Sequence, residues 1–173
     1  MDIKLMAEVY RLGLLIKYFN AYEVIQWVDK IIETTNVKDI PTIFFDLSLS
    51  KDKRVIIELL GSIEGDVEKG LPTKIMLGLL YKRLDSQDTA TIINMANELA
   101  YMTNDDWVLS ATIKALVDQY EEALKGYGNR NCTEETIKEY VSEAVEVIKD
   151  FLADYKEYAG LWKENYSSYQ GYI

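Results

Sequence analysis

The chain has 173 residues, 49% of them hydrophobic and 28% charged. This is the make-up of a single folded domain over residues 1–173 rather than of a disordered chain. It contains no histidine and one cysteine, which excludes Ser-His-Asp and Cys-His catalysis, His-ligated zinc, an imidazole switch and an internal disulfide. A net charge of -10 speaks against nucleic acid, whose phosphates need a basic surface, and favours a basic protein partner.

Two prolines in the whole chain, with runs rich in Ala, Leu, Glu and Lys, predict an all-α antiparallel bundle of about seven or eight helices. The first helix is expected from Asp2 to about Phe19, with Ile3, Met6, Val9, Tyr10, Leu14 and Tyr18 apolar; Gly13 is either tolerated or marks a close crossing. Asn20 and Glu23 form an N-x-x-E capping box for a second helix, with Val24, Trp27, Val28, Ile31 and Ile32 inward and Gln26, Asp29, Lys30 and Glu33 opposite. After a stop near residues 34–36, Pro41 opens a short third helix, where its missing N–H costs nothing. Ile43, Phe44, Leu47 and Leu49 are its expected buried face. The stretch from Asn20 to Leu49 reads as the seed of the core.

Ser50 is expected to cap a fourth helix carrying Val55, Ile56, Leu59 and Leu60, followed by a loop from Gly65 to Gly70. Leu71-Pro72-Thr73 opens a fifth, with Ile75, Met76, Leu79 and Leu80 inward, ending near Leu84. Ser86-Gln87-Asp88 begins a sixth, with Ile92, Ile93, Met95, Ala96 and Leu99 inward. Asn104-Asp105-Asp106 places acidic groups at the positive end of a seventh, whose predicted core positions are Trp107, Val108, Ala111, Leu116 and Tyr120. Trp27 and Trp107 are both expected in the core. A Gly/Asn loop follows from Gly126 to Asn131. Thr133-Glu134-Glu135 starts a long last helix through Ile137, Val141, Val145, Ile148 and Leu152, and Ser167, Ser168 and Gly171 predict a loose end over 167–173.

No apolar run approaches the roughly 20 residues of a membrane span. The N-terminus lacks a basic-then-apolar leader, so the expectation is a cytoplasmic protein with no membrane partner. Charge is unevenly spread. Residues 1–60 hold 8 basic and 9 acidic side chains, whereas the remaining 11 basic and 20 acidic residues give the rest a balance of -9.

The run Leu12-Gly13-Leu14-Leu15, then Trp27-Val28-Asp29-Lys30-Ile31-Ile32, then Pro41 and Asp46-Leu47-Ser48-Leu49, resembles a pattern in small helical bacterial proteins. Leu77-Gly78-Leu79-Leu80-Tyr81 extends it, and the match covers about the first 85 residues. It looks like the immunity proteins encoded beside polymorphic or contact-dependent toxins. That resemblance implies a stoichiometric inhibitor, with no cofactor and no catalysis, that binds a basic toxin domain.

Two constellations on the last helix are candidates for contact with such a partner. Tyr155, Tyr158, Trp162, Tyr166, Tyr169 and Tyr172 recur at three- and four-residue steps, so a continuous helix puts them on one stripe. That stripe either docks the helix on the bundle or supplies aromatic anchors. Glu134 and Glu135 lead into Glu139, Glu143, Glu146, Asp150, Asp154 and Glu157, whose spacing also puts them on one face. It is either a solvated face or a surface for a basic partner.

A different class of reading makes Glu143, Glu146 and Asp150 a magnesium chelate of an all-α nucleotide hydrolase. It would need a facing pair, for which Glu98, Glu121 and Glu122 are the only candidates. A third reading is a helical adaptor with a non-toxin partner. Cys132, without histidine, reads as a passive thiol.

Overall fold

A computed structural model describes residues 2–84, 88–103, 106–125 and 133–163. The fold is an all-α helical bundle with no strand among the described residues. Its helices are α1 (Ile3–Leu15), α2 (Ala21–Thr34), α3 (Thr42–Leu49), α4 (Lys53–Ser62), α5 (Leu71–Arg83), α6 (Thr89–Met102), α7 (Trp107–Lys125) and α8 (Glu134–Ala153). A 3₁₀ turn at Val37–Asp39 precedes α3, and the chain is helical again over 158–163. It divides into two compact units, one of residues 1–76 with 160–173 and one of residues 77–159.

In the first unit α1 lies against α4, α2 against α3, and α3 against α4. Asp2 caps α1 by accepting from Leu5 N–H at 2.9 Å. The capping box of α2 is complete: Asn20 Oδ1 accepts from Glu23 N–H at 3.0 Å, and Asn20 N–H donates to Glu23 Oε2 at 2.8 Å. The centre of the core is aromatic. The ring of Tyr10 stands 4.9 Å from each of Phe19, Trp27 and Trp162, and Trp27 reaches Phe44 at 6.2 Å.

The first helix stops at Leu15 rather than near Phe19, and the cause is local. Tyr18 N–H donates to Gly13 O at 2.7 Å and Lys17 N–H to Leu14 O at 3.2 Å, with Lys17 at a φ of 63°. This is a Schellman ending built around a left-handed residue, here a lysine instead of the usual glycine. It swings Phe19 back over α1, where a Cβ on Gly13 would lie 2.8 Å from Phe19 Cε2. Gly13 therefore marks a close approach, made by the helix's own exit turn.

Three other expectations for this unit are corrected. Leu49 is not on the buried face of α3 but 80% exposed, because it is the last residue of that helix and faces away from Phe44 and Leu47, which are buried. The fourth helix is capped by Asp52, which accepts from Arg54 N–H at 2.8 Å, and not by Ser50. Its Val55 is exposed while Ile56 and Leu60 are buried.

In the second unit α7 lies against α6 and α8. Ile92, Ile93, Met95, Ala96, Leu99 and Ala100 are the buried side of α6. Asp106 accepts from Leu109 N–H at 3.0 Å at the start of α7, and Ser110 Oγ donates to Ala100 O at 2.8 Å across the α6–α7 pair.

The inward stripe of α7 is Leu109, Ile113 and Val117, not Trp107, Val108, Ala111, Leu116 and Tyr120. Trp107 is 76% exposed and Val108 55%. Apolar residues occupy every face of α7, so their spacing has no unique phase, and a stripe stepping by four from Leu109 buries a continuous strip that the tryptophan does not join.

The last helix is also interrupted. Residues 154–157 form a turn closed by three-residue hydrogen bonds, Tyr155 N–H to Leu152 O at 3.0 Å and Tyr158 N–H to Tyr155 O at 3.0 Å. No glycine or proline causes this break. Gly78 of α5 packs on the backbone there, so closely that its Cβ would lie 2.9 Å from Ala159 N. The expected loose end, the Gly126–Asn131 loop and Cys132 lie outside the described residues.

Candidate functional site

The candidate surface is the outer face of α8, in the second unit. Thr133 caps the helix, accepting from Thr136 N–H at 3.2 Å, and Glu134 and Glu135 sit in the first turn, where the helix dipole favours negative charge. Ile137, Ala144, Ile148 and Leu152 are buried, which orients the helix and leaves the opposite side to solvent. Glu139, Glu143, Glu146 and Asp150 are all exposed on that side. Their steps of four, three and four residues keep them within one narrow strip of the helix.

Not all these charges are free. Lys138 pairs with Glu134 at 2.9 Å and Lys149 with Glu146 at 2.7 Å. Glu139, Glu143 and Asp150 have no ion pair among the described residues. Glu139 and Glu143, one helical turn apart, repel each other by a few tenths of a kcal/mol, a standing cost that an incoming cation would relieve.

Beside this strip stand two apolar side chains absent from the sequence reading. Tyr140 is 52% exposed and Val147 42%. They are seven residues apart, so they share a face, one that borders Glu143 and lies off the Ile137–Ala144–Ile148 stripe. That offset from the buried stripe was the available signal. Together they add an amphipathic tyrosine and an aliphatic side chain to the edge of an acidic strip, the combination found in protein-binding surfaces.

The remaining predicted site residues are scattered by the break at 154–157. Asp154 and Glu157 are exposed in that turn, so the acidic strip on one helix ends at Asp150. Tyr155 stacks on Phe151 at 5.3 Å and on Tyr158 at 6.1 Å. Burial, then the nearby negative charges of Asp106 and Asp154, push its phenol above its ordinary pKa. Trp162 belongs to the first unit, where its ring meets Tyr10 at 4.9 Å and Phe19 at 5.3 Å. The aromatic residues expected on one stripe are therefore used in two separate places. Tyr166, Tyr169 and Tyr172 lie outside the described residues.

No protein-family model, curated protein or solved structure matches this chain. Among the described residues no three acidic or cysteine side chains come together as a metal-binding group, so Glu143, Glu146 and Asp150 do not converge on one point. Among the same residues no helix is long and apolar enough to cross a membrane.

Proposed function

We propose that this is a non-catalytic, cytoplasmic protein-binding protein of the immunity type, which neutralises a basic toxin domain by covering it. The observation that carries the reading is the outer face of α8. Glu139, Glu143 and Asp150 stand there without cationic partners among the described residues, next to the exposed Tyr140 and Val147. Unpaired carboxylates steer a cationic surface into contact and raise association rates about 10–1,000-fold. An exposed tyrosine beside them supplies large contact area with a polar tip. Desolvating these carboxylates is favourable only against a partner that brings its own cations, which supports a basic partner. The resemblance in the first half of the chain supplies the toxin context, and the charge and apolar pattern supplies the manner of binding.

The test is co-expression in bacteria with the product of the adjacent reading frame. Growth restored by the wild-type chain, together with a 1:1 complex on gel filtration, supports the proposal. Failure to protect and to bind that product removes the toxin context.

A further inference from the structure

The first unit carries a second surface with its own chemistry. Between α2 and α3 lies an open groove of about 330 Å³, lined by Asp29, Ile32, Glu33, Phe45, Ser48 and Leu49. It exists because Phe44 and Leu47 turn into the core, which leaves Phe45 and Leu49 on the exposed side of a two-turn helix and Ser48 half-buried at its flank. Its walls run from residue 29 to 33 and from 45 to 49, about one helical turn each. The groove therefore admits one large side chain rather than a row of them. Leu49 is 80% exposed and Phe45 36%, so apolar surface is left uncovered at its mouth.

The walls are tied together and the rim is acidic. Ser48 Oγ donates to Asp29 Oδ1, joining α3 to α2. Among the described residues the exposed Glu33 has only a long ion pair, to Lys30 at 3.7 Å. Asp29 has no ion pair among the described residues. An occupant must accordingly offer an apolar side chain for Ile32, Phe45 and Leu49, with a cation for Glu33 and Asp29. A second copy of this chain, itself at -10, matches the apolar lining but not the charge.

We infer that the α2–α3 groove is a docking site for a protein segment presenting one bulky aliphatic or aromatic side chain with a lysine or arginine one helical turn away. An amphipathic helix laid into a groove between two helices is an established mode of recognition, and its anchors fall at such spacing. The groove belongs to the first unit and involves none of the α8 residues, so this inference stands independently of the reading given to that face.

The experiment selects displayed random peptides on the immobilised full chain, then titrates the best synthetic peptide into the ¹⁵N-labelled protein. The expected peptides pair an apolar with a basic residue at a spacing of three or four, and shift the amides of residues 29–33 and 45–49. Leu49→Ala weakens binding about tenfold, the effect of truncating an anchor contact. Glu33→Gln weakens it several-fold and flattens its salt dependence. Both side chains are exposed, so unchanged thermal midpoints confirm intact folding.

Peptides that bind wild type and Leu49→Ala equally overturn the inference, as do shifts confined to α8. Selected sequences without basic residues overturn it too, and so does a selection that yields no binder.

Discussion

Replacing Gly13 by alanine sets two effects of opposite sign against each other. In a helix interior alanine is favoured over glycine by about 1 kcal/mol, so local propensity alone predicts stabilisation. The exit turn of α1 reverses that. The new methyl carbon would lie 2.8 Å from Phe19 Cε2 and 3.2 Å from Cγ, well inside contact distance. Phe19 cannot yield freely, because its ring is held against Tyr10 at 4.9 Å, Tyr18 at 4.8 Å and Trp162 at 5.3 Å.

Forcing a methyl into such a site costs about 1–3 kcal/mol, and each disturbed aromatic pair adds about 0.5–1.5 kcal/mol. The clash outweighs the propensity gain, and a net loss of about 1–3 kcal/mol is expected. The control is Gly61→Ala in α4, where the added carbon would meet only Arg11 Cδ at 3.5 Å, an ordinary contact. That variant is expected to be neutral or up to about 1 kcal/mol more stable. Urea denaturation followed by tryptophan fluorescence reads both, with the slope checked for constancy. A Gly13→Ala protein as stable as wild type, with Gly61→Ala unchanged, would refute the packing argument.

Lys17→Gly should stabilise the chain by about 0.5–1 kcal/mol in the same assay, since it removes a side chain from a left-handed position at a helix end. Trp27→Ala should cost about 3–5 kcal/mol as a large core deletion, whereas Trp107→Ala, at a 76% exposed position, should change stability by less than about 0.5 kcal/mol. Glu8 gives a pH test. Burial raises its pKa, but hydrogen bonds from Lys4 at 2.9 Å and Arg11 at 2.8 Å and their two charges outweigh this and hold it below the usual carboxylate range. A lowered folded pKa stabilises above the unfolded value of about 4.3. The stability advantage of wild type over Glu8→Gln should therefore be full at neutral pH and vanish as pH falls through the folded value; an advantage that grew on acidification would refute this.

What was legible in the sequence is what local chemistry decides. The Asn20–Glu23 box, Pro72 in the first turn of α5, the buried side of α6 and the Ile137, Ile148 and Leu152 positions of α8 each follow from a cap, a proline or an apolar period, though Val141 and Val145 of that last series are only half-buried and Ala144 is buried instead. The failures lie where those rules leave freedom. Trp107 misled because α7 is apolar all round its first two turns, so size suggested an anchor that packing did not use. Leu49 misled because periodicity does not know where a helix end stops being covered.

The break at 154–157 had no local signal: Ala153-Asp154-Tyr155-Lys156-Glu157 is good helix sequence, and the interruption accompanies the close approach of α5 at Gly78. The same break divides the expected site, leaving Tyr155 and Tyr158 in one packing environment and Trp162 in another. Tyr140 and Val147 are not marked by the charge pattern, since they stand beside the acidic strip and not in it.

The most direct test of the proposed function is the association rate with the adjacent reading frame's product, measured by stopped flow at low and high salt. Wild type should associate about 10–1,000-fold faster at low salt than the Glu139→Lys, Glu143→Lys, Asp150→Lys triple variant, with the gap closing as salt screens the charges. Equal rates at low salt, from a variant with unchanged helical circular dichroism, would contradict binding through the outer face of α8.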